Sequence, residues 1–361
     1  MLKRALFRLG IFEAKHPKIV LSLVVIFTLI SVMGIPGINV QISYEKMMPE
    51  NSDVIQTLHL VQDEYGGTDT IQILVEAPDV RDPETLRAID TLESRLKEEK
   101  WVTEVSGISS IVKQSYGYIP PSKDTIKGII EEPMTKQLTE QLMSDDYKYT
   151  LITARIICPY DPISEEGLTE RIRDDIAYTQ LPEGTSARIS GMIPLDYESY
   201  LLMNKDLAVI SCIGLLLVFS IVIFYFKSVI KGMLALAPVA LAILWSAGWM
   251  GYIGIPFSIL MTGSAAIIMG LGVDFGIHLI HRYDEEREKG KDVANAITGS
   301  VVNIGIGLVF VTATTMVGFL ALCTGDIIVM REYGEMLAIS ILFCFMASMS
   351  LIPAVLALKG A

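Results

Sequence analysis

The sequence has 361 residues, 51% of them hydrophobic and 8% aromatic, with a formal net charge of -12. That hydrophobic share lies above the range of an ordinary soluble domain, and the acidic balance argues against nucleic acid as a partner. The four cysteines, Cys158, Cys212, Cys323 and Cys344, have no paired spacing and read as unpaired packing residues.

The apolar residues are concentrated in blocks. A basic N-terminus, residues 1–18, carries Lys3, Arg4, Arg8, Lys15 and Lys18. A spanning helix needs about 20 apolar residues, so the uncharged run at 19–37 is predicted as a first transmembrane helix. It ends in SVMGIPGINV, with no A-x-A cleavage site, which favours an uncleaved anchor over a signal peptide.

Residues 38–205 are polar and hold most of the negative charge. Within them IQILVEA (71–77) reads as a strand, PETLRAIDTLESRLKEEK (83–100) as a helix begun by Pro83, and WVTEVSGISSIV (101–112) as a second strand. YKYTLITARIICPY (147–160), SEEGLTERIRDDIAYTQ (164–180) and SARISG (186–191) repeat the order. Ser164 with Glu165 and Glu166 marks the start of the second helix. Two β-α-β units in succession predict an α/β, ferredoxin-like (split βαβ) domain between helices 1 and 2. Further helices are expected at 53–65 and 133–144. Residues 194–206 are expected to run as a helix into the second span.

Five more spans are predicted at about 206–226, 229–251, 257–282, 297–323 and 334–358, leaving 359–361 as a tail. The third and fourth are divided at GYIGIP (251–256), a Gly/Pro turn signal. The fold class is thus a polytopic α-helical membrane protein with six transmembrane helices and one α/β domain. Lys227, Lys231, Arg282, Arg287, Lys289, Lys291 and Lys359 fall on the same side as the N-terminus, whereas the opposite short loops hold only Arg331. Basic residues favour the cytoplasm, so both termini are expected there and the α/β domain outside, in a cell-membrane protein. Trp245, Trp249 and Tyr252 at the outer end of the third span fit an interfacial belt.

The fourth span reads GLGVDFGIHLIHRYDEER (270–287). An aspartate at membrane depth is costly and marks function more often than structure. At 3.6 residues per turn, Asp274, His278 and His281 fall on one narrow face. Gly270, Gly272 and Gly276 are small enough to admit a close helix. Asp274 with His278 one turn away reads as a proton relay; the competing reading is a polar plug between helices. His281 and Arg282 lie near the interface and read as head-group contacts. Asn303, Thr312, Thr314 and Thr315 on the fifth span are candidate partners of Asp274, although each threonine can bond its own helix backbone instead. Asp-x3-His-x2-His is no metal signature, and zinc would want a further ligand. No G-x4-GK[ST], HExxH or GxSxG motif occurs. No cofactor or metal is expected, and any active transport would need an ion gradient or a separate ATPase.

One span, a large α/β loop and five further spans resemble the half-repeat of the resistance-nodulation-division (RND) superfamily. GLGVDFGIHLIHRYDEEREKG (270–290) is similar to the fourth-span motif of its hydrophobe/amphiphile exporters, the branch of the MmpL lipid transporters and hopanoid exporters. The resemblance implies that the α/β domain is a porter domain, that Asp274 takes part in proton translocation, and that the cargo is a lipid or other amphiphile. Family members carry a second acid or a tyrosine beside this aspartate, where Phe275 stands here. Full-length members hold two halves, so a homodimer is implied. The alternatives are a SecD/SecF-like accessory to protein translocation and a lipid- or sterol-sensing membrane protein that does not transport.

Overall fold

A computed structural model describes residues 1–41, 47–49, 51–65, 69–157 and 162–360. Cys158 lies outside them. In chain order the elements are α1 (Leu2–Lys15), α2 (Pro17–Gly34), β1 (Val40–Gln41), α3 (Asp53–Tyr65), β2 (Asp69–Glu76), α4 (Pro83–Glu98), β3 (Val102–Ser106), α5 (Ile108–Tyr116), α6 (Lys123–Ile130), α7 (Pro133–Thr139), β4 (Tyr149–Ile156), α8 (Pro162–Tyr178), β5 (Ser186–Gly191), α9 (Met192–Phe226), α10 (Val229–Ile253), β6 (Phe257–Ser258), α11 (Ser264–Glu288), α12 (Val293–Leu320) and α13 (Ile328–Gly360). They form two compact units. One joins Met1–Pro49 to Leu202–Ala361; the other is Glu50–Leu201.

In the first unit, α2 and α9 to α13 are long and apolar enough to cross a membrane. Helices α10, α11, α12 and α13 pack on one another, and α2 lies along α10 and α13. The burial is uneven. In the most apolar windows, 56% of residues are buried for α11 and for α13, but 6% for α9. Helix α9 therefore runs along the outside of this bundle.

The contact of α2 with α10 depends on missing side chains. A Cβ on Gly248 would overlap the Ser31 carbonyl, and one on Gly251 the Gly34 carbonyl. Two backbones approach this closely in a membrane only where small residues face each other. Phe27, Trp245, Trp249 and Phe343 then cluster beside the contact, with ring centroids 4.7–6.2 Å apart. The Trp245 Nε1–H donates to Thr28 Oγ1 at 2.9 Å, and Trp245 is only 2% exposed. It is a core residue, not part of an interfacial belt. Tyr252 is exposed, with its hydroxyl donating to the Ile30 carbonyl.

Helix α9 is continuous from Met192 through Phe226, with no break between residues 194–206 and the apolar stretch that follows. The fourth apolar stretch begins at Ile259. Gly254 adopts a left-handed conformation that ends α10, a role glycine fills without a Cβ clash. Phe257 N–H then donates to the Asn39 carbonyl at 2.7 Å, and β6 pairs in parallel with β1. After the 3-10 turn Ile259–Gly263, α11 starts at Ser264.

The second unit holds a four-stranded antiparallel sheet in the order β3-β4-β2-β5. Connections β2-α4-β3 and β4-α8-β5 each skip a strand. Ile71, Ile73 and Val75 on β2 and Ile152, Ala154 and Ile156 on β4 alternate into the core, as the two-residue period of a strand requires. Leu86, Ile89, Leu92 and Leu96 on α4, with Leu168 and Ile172 on α8, cover that face. The segment 101–112, expected as one strand, is strand only to Ser106. Buried Glu93 reaches from α4 and accepts from the Ser109 and Ser110 amides at 3.2 and 3.1 Å. A carboxylate at that point satisfies the free amides of a helix start and favours α5 over a longer strand.

A second charge cluster fixes the loop after β2. Asp79 accepts from Arg81 at 2.9 Å and pairs with Lys123 of α6 at 2.8 Å, while Arg81 lies over the Tyr147 ring. Burial pushes the Asp79 carboxyl up, but the Arg81 and Lys123 hydrogen bonds outweigh it and hold the group well below the usual carboxylate range.

Two outcomes follow from these contacts. Gly248→Val overpacks the α2–α10 contact and should lower stability by about 1–3 kcal/mol, read as a lower thermal midpoint in detergent. Because the Asp79 pKa is depressed on folding, its contribution is complete above the ordinary carboxylate pKa of about 4 and is lost as pH falls below it. The stability deficit of Asp79→Asn should therefore be full at neutral pH and shrink in acid; a constant deficit would contradict the ion pairing.

Candidate functional site

The packing of α11 sorts its residues into two faces. Ser264, Ala265, Ile268, Met269, Gly272, Val273, Phe275, Gly276, Leu279 and Ile280 are buried. Ile267, Gly270, Leu271, Asp274, His278 and His281 are exposed. The exposed positions recur at intervals of three and four residues, so they form one stripe along the helix. Asp274 thus faces away from the helices of its own chain.

The glycines expected to serve packing divide the same way. A Cβ on Gly272 would meet the Cys344 sulfur of α13 at 2.5 Å, and one on Gly276 would meet the Ala235 carbonyl of α10 at 2.5 Å. Both positions seat α11 in the bundle. Gly270 has open space around it and sits on the exposed stripe one turn before Asp274.

The expected partners of Asp274 are not brought to it within one chain. Asn303 is exposed on α12 and Thr315 is half-buried. Thr312 is buried, and its hydroxyl has no hydrogen-bond partner among the described residues. Thr314 donates to the Phe310 and Val311 carbonyls of its own helix. Among the described residues no hydrogen bond or ion pair joins Asp274, His278, Asn303, Thr312 or Thr315 to one another.

Nor does a cation reach Asp274 among the described residues. Arg282, two turns on, is held by Glu285 at 2.6 Å and by Glu286 at 2.8 Å. Glu286 is buried and also pairs with Lys289 and Lys291, while Lys231 of α10 binds Asp284 at 2.6 Å. His281 lies 3.5 Å from Glu285. These pairs hold the charged end of α11 against α10 and the start of α12, where Asp292 caps the helix by accepting from the Asn295 amide. The hub at Glu286 was not singled out in the sequence. Its signal was a run of alternating charges, DEEREKGK, which also describes an ordinary solvated helix end.

Among the described residues no group of three His, Cys, Asp or Glu side chains is placed to hold a metal ion. Cys212, Cys323 and Cys344 are unpaired. In the second unit an open cleft of about 500 Å³ lies between α4 and the end of α8, lined by Arg87, Thr91, Arg95, Tyr178 and Pro182 among others. It contains none of the expected site residues. What remains as a candidate site is the stripe on α11: a carboxylate and an imidazole one turn apart on a helix long and apolar enough to cross a membrane.

Known proteins share this pattern of sequence. The chain is 32% identical over 369 residues to the protein MJ1562 of Methanocaldococcus jannaschii, covering 99% of this chain and 95% of that one. It is 24% identical over 250 residues to the hopanoid transporter HpnN of Rhodopseudomonas palustris, covering 65% of this chain but 28% of HpnN. It is 29% identical over 96 residues to the sulfolipid-1 exporter MmpL8 of Mycobacterium tuberculosis, covering 27% of this chain and 9% of MmpL8. The chain therefore spans nearly the whole of the archaeal relative and a minor part of the two transporters. The profile of the MMPL family matches residues 46–361; with six helices fit to span a bilayer, the chain is a multi-pass membrane protein that belongs to the MMPL family, within the RND-type transporters.

Proposed function

We propose that this protein is a half-transporter that exports lipids or other hydrophobic amphiphiles, driven by the proton-motive force and working as a homodimer. The observation that carries the reading is the exposed setting of Asp274 on α11. Ionised carboxylates facing lipid cost about 3 kcal/mol each at the bilayer centre, and in membrane proteins such groups face a bundle interior or an aqueous cavity. A chain that leaves one uncovered needs a covering surface. A second copy related by a twofold axis would bring α11 against α11. Open space around Gly270, and around Gly307 and Gly318 of α12, leaves room for close approach.

In that arrangement two Asp274 carboxyls lie near the axis. His278 would then have a carboxyl with which to exchange a proton, and Asn303 of either copy one to hydrogen-bond. Phe275 is buried beside Phe345 of α13 and takes no part. The strand order and the two β-α-β connections of the second unit support reading it as a ferredoxin-like porter domain, which would lie outside the cytoplasm and receive the cargo. Helix α9 is the direct covalent route from that unit to the spans. The lipid class of cargo rests on the names of the relatives, a hopanoid transporter and a sulfolipid-1 exporter.

Proteoliposomes supplied with a lipid extract test the coupling. Proton flux in wild type should fall to the level of protein-free vesicles in Asp274→Asn at matched insertion, and recover in part in Asp274→Glu. Equal flux in wild type and Asp274→Asn would remove Asp274 from the mechanism. Lipid retained on the purified protein without flux in any variant would favour a lipid-binding role.

A further inference from the structure

Helix α1 has three kinds of surface. Leu6, Gly10 and Glu13 are buried. They pack on α12 and α13: a Cβ on Gly10 would touch Thr298 and Val301, and Leu6 lies near the backbone at Gly305 and beside Met349. On a helix turning 100° per residue, Arg4, Arg8 and Lys15 fall within about 40° of one another and roughly opposite that buried stripe. All three are exposed, and none has a carboxylate partner among the described residues. Between the two stripes lie apolar residues on both sides: Ala5, Leu9 and Phe12 on one, Phe7 and Ile11 on the other, with Phe7, Leu9 and Phe12 exposed.

The buried acid does not cancel these cations. One Glu13 carboxylate oxygen has no hydrogen-bond partner, and burial pushes the carboxyl up to about 9. At neutral pH the side chain is uncharged. The helix also ends at Lys15, two residues before the apolar α2 begins at Pro17. That continuity holds α1 at the boundary of the hydrocarbon.

We propose that α1 is a membrane-surface helix whose Arg4, Arg8 and Lys15 bind the head groups of anionic phospholipids. A cationic stripe flanked on both sides by exposed apolar residues matches a surface that is anionic at head-group level and apolar just beneath it. A soluble acidic protein would satisfy the cations and leave Phe7, Leu9 and Phe12 in water. The bound lipid sits against α12 through α1, apart from the outward stripe of α11.

The test uses the full-length chain in detergent, titrated with phosphatidylglycerol or phosphatidylcholine while the thermal midpoint is followed. Phosphatidylglycerol should raise the midpoint of wild type at much lower concentration than phosphatidylcholine. Each cation near an anionic surface contributes about 1 kcal/mol, so the triple variant Arg4→Gln/Arg8→Gln/Lys15→Gln should need about 100-fold more phosphatidylglycerol at low salt. The charge-matched control Lys97→Gln/Lys136→Gln/Lys148→Gln, on exposed lysines of the second unit, should behave as wild type. In wild type itself the requirement should rise with added salt. The proposal is overturned if the α1 variant keeps the wild-type titration, if both triple variants shift alike, if the two lipids act alike on wild type, or if salt has no effect.

Discussion

A carboxylate within an apolar helix is the constraint on which this structure turns. Asp274 would be inexpensive if its own chain supplied a cation, a donor or a polar cavity. Among the described residues none is supplied: the nearest arginine on the helix is held by Glu285 and Glu286, and the fifth span offers no hydrogen bond. The buried face of α11 is completed without it, through Gly272 against α13 and Gly276 against α10. The helix is thus firmly seated while the face that carries Asp274 is left open. In the proposed dimer that face is the one a second copy covers.

The remainder of the first unit supports this arrangement. Close backbone contact at Gly248 and Gly251 fixes α2 on α10, and the aromatic cluster of Phe27, Trp245, Trp249 and Phe343 fills the space beside it. Helix α9 stays at the edge, nearly unburied, and continues as one helix into the α/β unit. A weakly packed helix can shift at low cost compared with one whose side chains interlock. The chain therefore joins a tightly packed group, α10 to α13, to one long helix with few such restraints.

Much of this was legible in the sequence, because hydropathy and two-residue alternation are local signals. Six apolar blocks and two β-α-β units follow from runs and periods alone. The failures share a cause: each depended on a distant residue. Residues 107–112 read as the continuation of one strand from 101, yet Glu93 on α4 accepts from the Ser109 and Ser110 amides and favours a helix there. Trp245 stands where a belt residue would, but Thr28 of another helix accepts its N–H. The regular helix of the fourth span starts only at Ser264, after a short strand and a 3-10 turn, because Asn39 and Val40 pair with the segment at 257–258. Asp274, His278 and their stripe were placed correctly on one face by helical geometry. Which way that face points is set by α10 and α13, and no periodicity of α11 alone reports it.

The most direct test of the account is whether α11 meets α11. In a cysteine-free background, Leu271→Cys places a thiol on the exposed stripe next to Asp274, and a disulfide forms only when two such Cα atoms come within about 7 Å. In native membranes under mild oxidation, Leu271→Cys should yield a covalent dimer, while Phe224→Cys, exposed on α9, should remain monomeric. A Leu271→Cys protein that stays monomeric, or cross-links no more than Phe224→Cys, would contradict the pairing of the two halves through Asp274.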